Sequence, residues 1–418
     1  MEAVDEYFDM LIKSRFNEMF DSNPDYKRWP IQSMNQICEV ITDGSHFSPE
    51  DAGEGYPMLS VKDMGESDFD YSDCKHISQK DYDYLVKNGC KPLVGDVLIA
   101  KDGSFFKKGF VVKEEKEQAI LSSIAIMRPK KELMNPEYLV KFLLSDKVLS
   151  TISSMTSGTA LKRVILKQFK SMKVTVPPIS LQNEFVYFVQ RVNKSKAIVQ
   201  KCIDKYDLLV KSRFIEMFGD IKTNSKGWKC HKLGELGSFK TGGTPSSKHE
   251  EYYQGTIPFI STPALGPNYI DDSAAKYHIS KEAIENCATT LIPAGSLIIG
   301  TRINVGQSSI NKIPMCTNQD IVSMMDIDKK YDLLFLKHCL NQYIPYLDSQ
   351  KKGATIKGIT VELLKSVMIP EPPIDEQKQY VDFVEQVDKS KFVETVEPDH
   401  PAVFQNVHGF PSFGLIST

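Results

Sequence analysis

What the sequence lacks argues against three classes of protein. Its 418 residues include 8 cysteines and 8 histidines, but there is no Cys-x-x-Cys pair and no histidine spacing typical of metal ligands. This argues against a zinc site and favours a reduced compartment. The apolar runs are far too short to span a bilayer, and acidic residues, not a signal peptide, follow Met1. We therefore expect a cytoplasmic protein that holds no metal and enters no membrane.

The net charge is small, at −3. A protein that binds nucleic acid alone, by neutralising phosphates, is usually more basic. The composition therefore disfavours a stand-alone DNA-binding protein. It leaves open local basic surfaces, and also a complex in which a partner supplies most of the phosphate contacts.

Two double prolines lack the surroundings of a catalytic motif. In amino-methyltransferases an Asn or Asp precedes such a pair and an aromatic residue follows it, but Pro177-Pro178 and Pro372-Pro373 have neither. Prolines at these places end a strand and start a helix. No glycine-rich cofactor loop follows a strand either. We therefore assign no catalytic residue, no cofactor and no S-adenosylmethionine site to this chain.

What the sequence does contain is a long internal repeat. The segment KSRFNEMF at 13–20 returns as KSRFIEMF at 211–218, a shift of 198 residues. A second segment, which opens with PPI at 177–179, returns at 372–374 after a shift of 195 residues. A repeat of this period indicates one structural unit used twice. It also suggests a target with two similar parts.

Helical periodicity covers both ends and the middle of the chain, and short β-like runs with Gly, Asp and Pro fill the two intervals. Each terminal helix repeats only half of the central one. We therefore predict an α+β fold with two globular units, long antiparallel helices and a pseudo-two-fold internal repeat. The predicted segments are an N-terminal half-helix at 1–22, globular units at 23–178 and 221–372, a central helix at 179–220, a C-terminal half-helix at 373–392 and a disordered, non-repeat tail at 393–418.

With this ordered set present twice, the chain resembles a bacterial type I restriction–modification specificity subunit. The resemblance covers roughly Asp5 to Phe392, and the series Lys232–Leu236, Thr241–Ser246 and Ile257–Ser261 is typical of the family. It implies two target-recognition domains that read an asymmetric, bipartite double-stranded DNA site, with helices as the spacer. It also implies a non-catalytic chain that docks two methyltransferase subunits, which would bind S-adenosylmethionine, and restriction subunits indirectly through them.

Loops after predicted strands supply the candidate DNA contacts. Glycines allow the backbone to approach phosphate, hydroxyl and ammonium groups donate to phosphate, and Arg, Asn and Gln can read bases bidentately. Each loop also has a plainer interpretation as an ordinary turn, a solvated hairpin tip or a polar loop that closes its domain. The candidates are Thr42, Gly44, Ser45, His46, Lys101, Ser104, Lys107, Lys108, Lys162, Arg163, Thr241, Gly242, Gly243, Thr244, Arg302, Asn304, Gln307, Lys351, Lys352 and Lys357.

The repeated helical segment supplies the candidate partner contacts. Its apolar side chains could form a methyltransferase docking surface, or could equally form the seam between the chain's own helices. We predict the docking role for Phe16, Met19, Phe20, Phe214, Met217 and Phe218.

Two other functions stay open on the sequence alone. A scaffold of two divergent domains that does not bind DNA would show the same repeat. A fragment of a fused restriction–modification enzyme would need a catalytic motif that the sequence lacks.

Overall fold

The computed structural model describes residues 2–101, 107–154, 165–353 and 357–396. The described residues form two compact units, unit 1 up to Val199 and unit 2 from Gln200 to the end of the last helix. Each unit contains a terminal helix, half of the central helix and a globular part of mixed helices and strands. The predicted α+β fold class is thus confirmed. Among the described residues, no helix is both long and apolar enough to span a membrane.

The helices follow the predicted pattern with shifted ends. The central helix begins at Ile179 and ends at Phe218, whereas the last helix continues to Val396, past its predicted end at Phe392. A π-helical turn at Asn17–Asp21 extends the first helix. The α-helices are α1 Glu2–Phe16, α2 Met34–Ile37, α3 Gln79–Lys87, α4 Pro136–Leu143, α5 Asp146–Ser154, α6 Leu166–Ser171, α7 Ile179–Phe218, α8 Lys281–Asn286, α9 Leu333–Ser349, α10 Val361–Lys365 and α11 Ile374–Val396.

The strands of unit 1 are β1 Ile31–Ser33, β2 Cys38–Asp43, β3 Tyr56–Leu59, β4 Lys75–Ile77, β5 Val97–Ala100, β6 Gly109–Val111, β7 Ala119–Ile120, β8 Ile124–Pro129 and β9 Lys173–Thr175. They form an antiparallel sheet in the order β2-β8-β5-β6, a mixed sheet in the order β4-β3-β7, and the pair β1-β9. Strand β5 is buried along its whole length, as its apolar sequence predicts.

The strands of unit 2 are β10 Cys230–Lys232, β11 Ser238–Thr241, β12 Ile257–Ile260, β13 Tyr269–Ile270, β14 Tyr277–Ile279, β15 Leu297–Gly300, β16 Ser308–Asn311, β17 Cys316–Thr317, β18 Ile321–Met325 and β19 Met368–Pro370. Their sheets have the orders β11-β18-β15-β16-β13, β14-β12-β17 and β10-β19. Apart from the added edge strand β13, every strand has a counterpart in unit 1. The sequence repeat is therefore a repeat of topology.

Each terminal helix packs antiparallel to the half of α7 that belongs to its own unit. In unit 1, Arg15 lies 3.1 Å from Glu184, and Asp5 at the other end of α1 lies 2.8 Å from Lys196. In unit 2, the rings of Phe214 and Tyr380 are 5.4 Å apart. Farther along the same pair, Lys391 of α11 lies 2.5 Å from Asp207 of α7. The predicted antiparallel pairing is thus present in both units.

A repeated glutamine joins each helix to its globular part. Gln182, fully buried, donates to the carbonyl oxygens of Leu133 and Pro177 at 2.9 and 2.8 Å and accepts from the backbone N–H of Asn135 at 2.9 Å. Gln377 makes the same three bonds to Lys330, Pro372 and Asp332 in unit 2. A buried amide with these partners is satisfied and fixes its surroundings. The repeated PPI-x-x-Q segment thus has a structural role.

Burial contradicts the predicted docking role for five of the six residues, whereas for the half-buried Met217 that role stays a prediction. Phe16, Met19 and Phe20 are buried in the core of unit 1, and Phe214 and Phe218 are buried in that of unit 2, with Met217 packed against it. In unit 1 the rings surround Tyr138 and Phe185, and in unit 2 they surround Phe335 and Tyr380. Side chains enclosed in this way offer no surface to a partner. The alternative interpretation, the intramolecular seam, holds for them.

Candidate nucleic-acid interface

Three loops of unit 2 meet at the ends of its central strands. The loop after β11 donates from Gly242 N–H to the Ile321 carbonyl at 3.0 Å and from Gly243 N–H to the Thr317 carbonyl at 2.9 Å. The loop after β15 donates from Thr301 N–H to the Asp320 carbonyl at 2.8 Å. These backbone bonds combine Thr241–Thr244, Thr301–Asn304 and Asn318–Asp320 into one surface, which we call the unit 2 loop surface.

The glycines of this surface serve close packing first. A Cβ atom on Gly242 would collide with the carbonyl oxygen of Asn318, and one on Gly243 would come 2.7 Å from the carbonyl carbon of Ala288. Only glycine allows backbones to come this close. Gly243 is buried, whereas Thr241 and Thr244 on either side are exposed. The hydroxyls, more than the glycines, are therefore presented to a ligand.

An acidic partner orients the arginine of this surface. The Nη1 atom of Arg302 donates to Oδ1 of Asp320 at 3.1 Å. The Arg302 side chain is 49% exposed, whereas that of Asp320 is only 10% exposed. A guanidinium carries five donors in a fixed plane, so one carboxylate contact aligns the group and leaves other donors for a ligand. Arg302 is thus held in place and accessible.

Asn304 and Gln307 belong to the same turn as Arg302. Asn304 has a positive φ of 54°, a conformation that asparagine tolerates better than most residues. Its Nδ2 donates to the carbonyl of Thr262 at 3.2 Å, and the Gln307 N–H donates to the Asn304 carbonyl at 3.0 Å. Asn304 therefore also has a structural task, since it shapes the turn that carries Arg302.

Unit 1 builds the equivalent surface from other side chains. Ser45 N–H donates to the Ile120 carbonyl at 2.8 Å, and Lys101 N–H donates to the Ser123 carbonyl at 2.8 Å. The ammonium group of Lys101 forms an ion pair with Asp43. We call Asp43–His46, Lys101 and Leu121–Ser123 the unit 1 loop surface.

The prediction that Lys101 contacts DNA is corrected by its burial. Its side chain is 4% exposed and its charge is already paired with Asp43. A buried, paired ammonium cannot reach a phosphate without leaving its partner, so Lys101 supports Asp43 from within. His46 stands outside, 74% exposed, with Nε2 3.5 Å from the same carboxylate. In this loop His46 is therefore the accessible nitrogen group.

Comparison with known proteins places the two units in a family. Residues 26–205 and 225–397 each match the family described as "Type I restriction modification DNA specificity domain". The chain belongs to this family. Each unit thus holds one specificity domain, and the loop surfaces lie at equivalent places in the two domains.

The chain is also similar to two named specificity subunits and to one solved structure. A Methanocaldococcus jannaschii protein provisionally named the type I restriction enzyme MjaX specificity subunit is 22% identical over 84% of both chains. The EcoR124I/EcoR124II specificity subunit of Escherichia coli is 26% identical over 57% of this chain and 61% of its own. The crystal structure of a type I S subunit from M. genitalium matches 92% of this chain and 97% of its own, with 12% identity and a TM-score of 0.45.

The other predicted DNA contacts of the first specificity domain have mixed surroundings. Thr42 is half-buried on β2, and Gly44 is buried. The Ser45 hydroxyl is nearly buried and bonds within its own turn, to the carbonyl of Phe47 at 2.6 Å. Lys107 is exposed, and Lys108 donates to the Met64 carbonyl at 2.5 Å. Ser104, Lys162 and Arg163 lie outside the described residues.

A further loop of the second specificity domain reaches Arg302. Gly358 lies so close that a Cβ atom there would be 2.7 Å from Cγ of Arg302, and a β-bridge joins it to Lys352. Lys352 and Lys357 are exposed, whereas Lys351 forms an ion pair with Asp348. The structure thus brings two of the three predicted lysines to the edge of the unit 2 loop surface as exposed side chains.

Sequence reasoning missed the acidic and amide residues of both surfaces. Asp43 and Asp320 hold the two cations, and the Thr244 hydroxyl donates to the side-chain oxygen of Gln319. A search for basic and hydroxyl groups passes over such residues. The available signal was position, because Gln319 and Asp320 directly precede the buried strand β18 and Asp43 ends β2.

Proposed function

We propose that this chain is the non-catalytic specificity subunit of a type I restriction–modification complex. In this role each specificity domain reads one half of an asymmetric, bipartite double-stranded DNA site. The observation that carries the proposal is the duplicated topology with unlike side chains at equivalent loop surfaces. One frame that presents two different sets of contacts suits a target with two different halves.

Unlike charge arrangements support the asymmetry. In the second domain an exposed Arg302 is aligned by Asp320, and arginine aligned in this way is suited to bidentate contact with guanine in the major groove. In the first domain the candidate cation Lys101 is buried, and His46 and the exposed Lys107 are presented instead. The two domains therefore offer a ligand different donors.

For the methyltransferase we propose a docking surface on the outer faces of the helices. Met10 of α1 is 58% exposed and Leu208 of α7 is 63% exposed, and the repeat shift of 198 residues makes them equivalent. Large apolar side chains exposed at matching positions are suited to two copies of one partner. The partner would supply the S-adenosylmethionine site and the link to the restriction subunits.

The test of this function is assembly of the full chain with its cognate methyltransferase on DNA. We expect a sequence-specific mobility shift and methylation that both require this chain, and a weaker shift with Arg302→Ala. Lys330→Ala is the matched control, because Lys330 does not lie on a loop surface. Its carbonyl oxygen accepts from Gln377, where α11 meets the globular part. Binding of methyltransferase without any sequence-specific DNA shift would instead favour the scaffold that does not bind DNA.

A further inference from the structure

A cavity of about 680 Å³ lies within unit 2, and no residue of the unit 2 loop surface lines it. Helices α7, α9 and α11 form its walls together with the turn at Gly266–Asn268. Its volume falls in the range of about 300–1,000 Å³ that is usual for small-molecule sites. Nothing in the DNA-reading role described above uses this cavity.

The cavity wall contains a buried lysine whose positive charge has few hydrogen-bond or ion-pair partners. Lys337 of α9 is only 2% exposed. Among the described residues its ammonium group donates one hydrogen bond, to the Gly266 carbonyl at 3.2 Å, and no carboxylate lies within ion-pair distance. Burial lowers the pKa of Lys337 to about 8, and the negative charge of Asp388 only partly opposes this shift. Since an ammonium has three donors and its burial is costly without an anion, this side chain is poised for a negatively charged ligand.

The histidine next to Lys337 is neutral and adds no charge to the cavity wall. His338 Nδ1 lies 2.5 Å from the Tyr380 hydroxyl, and Nε2 lies 3.1 Å from Oδ1 of Asn268. Because Oδ1 is an acceptor, Nε2 carries the proton and Nδ1 accepts from the tyrosine. Burial lowers the pKa of His338 to about 3, so the ring is neutral at ordinary pH.

The carboxylates of the wall already have partners. Asp388 accepts a hydrogen bond from Asn268 Nδ2 at 2.7 Å and lies 3.7 Å from Lys391. Asp207 lies 2.5 Å from the same lysine. Lys211 and Lys222 also line the cavity. The four lysines of the lining outnumber its two aspartates, so the cavity carries an excess of positive charge.

The repeat shows that the fold does not need this lysine. The caps of α4 and α9, Asn135 and Asp332, are equivalent because each bonds to the repeated glutamine. Five residues after each cap stand Val140, buried in unit 1, and Lys337 in unit 2. An apolar residue therefore suffices for packing at this place. A charged group kept where an apolar one suffices is a candidate for ligand binding.

We propose that this cavity binds a phosphate-bearing small molecule of about mononucleotide size, with Lys337 donating to its phosphate oxygens. A phosphate fits better than a single carboxylate, because it offers several acceptors and up to two charges to Lys337, Lys211 and Lys222. Bound phosphate would supply the missing anion beside Lys337 and would favour its charged form.

The experiment uses the full chain with inorganic phosphate and adenosine monophosphate as probes, against chloride at equal ionic strength. We expect both probes to raise the Tm of the wild-type chain, and calorimetry near pH 8.5 in two buffers to show proton uptake on binding. Lys337→Met should bind at least tenfold more weakly and show no uptake. Lys281→Met, an exposed lysine outside the cavity, should behave as wild type.

Several results would overturn the proposal. One is a wild-type chain that responds to neither probe, and another is a Lys337→Met chain that responds as wild type does. A third is Lys337-dependent protection by duplex DNA but not by either probe, which would make the cavity part of the DNA interface. Misfolding is not expected to obscure the comparison, since unit 1 folds with valine at the equivalent position.

Discussion

The replacement Phe218→Ala separates a core role from a docking role for the repeated aromatic residues. Phe218 is fully buried, and its ring centroid lies 4.7 Å from that of Phe335, 5.2 Å from Phe214 and 5.5 Å from Tyr380. Removal of a core phenylalanine costs about 3–5 kcal/mol. Because three aromatic pairs are lost together, we expect the upper part of this range, about 4–5 kcal/mol.

This loss is large enough to measure directly. For a unit of this size each kcal/mol lowers Tm by roughly 2–4 °C, so the transition of unit 2 should fall by roughly 8–20 °C. Calorimetry of the full chain is the assay, because two units need not unfold in one step. In Phe218→Ala, the transition assigned to unit 1 should keep its temperature.

The matched control is Leu208→Ala on the same helix. Leu208 is exposed, so its loss should change stability by no more than about 0.5 kcal/mol. It should nevertheless weaken binding of the methyltransferase, measured by calorimetric titration or pull-down with purified partner. If Phe218→Ala kept its Tm while losing the partner, the assignment of Phe218 to the core would be refuted.

Three further predictions concern single side chains. Asp320→Ala should weaken specific DNA binding and relax selectivity at one base pair, because Arg302 loses its alignment. In a binding titration against variant duplexes, the discrimination at that base pair should fall by about 1–3 kcal/mol. Asp96→Ala should cost about 1.5–3 kcal/mol in urea unfolding, because the fully buried carboxylate accepts two bonds from Arg128 at 2.8 and 2.9 Å, while the 32% exposed Arg128 side chain stays partly solvated after the loss. Between about pH 8 and 10.5, Lys337 keeps its proton in the unfolded chain but has lost it in the folded chain. The stability of the wild-type chain relative to Lys337→Met should therefore rise with pH over this range, by up to about 3 kcal/mol. Urea unfolding at each pH measures this difference.

Much of the frame could be predicted because its signals are local and occur twice. The helical period marks α7 almost to the residue, and the PPI-x-x-Q segment marks each place where a helix meets its globular part. The packing partners of the repeated aromatic residues were harder to predict. Periodicity defines an apolar face on a helix but not what covers it, and Phe16 and Phe214 are covered by Tyr138 and Phe335 from helices far away in the sequence.

In the sequence Lys101 and Arg302 are placed alike, because each follows a predicted strand, but their exact positions differ. Lys101 is the first residue after β5, whereas Arg302 is the second after β15. Successive side chains along a strand point to opposite sides, so these two cannot be equivalent. The backbone agrees, because Lys101 N–H bonds to Ser123 and Thr301 N–H makes the matching bond to Asp320. Thr301 is buried as Lys101 is, and Arg302 emerges.

The first and second residues after these strands differ in what the repeat determines. The environment of the first is the same in both units, whereas the side chains that form the loop surfaces differ. At the strand ends, the inward position is tied to the neighbouring turn by its backbone and is buried in both units, whether it is Lys101 or Thr301. The acid that serves the nearby cation comes from β2 in one unit, as Asp43, and from the turn before β18 in the other, as Asp320. Because the hydrogen bonds of the frame are made by backbone atoms, these side chains can differ without cost to it. A duplicated fold can therefore hold two unlike reading surfaces.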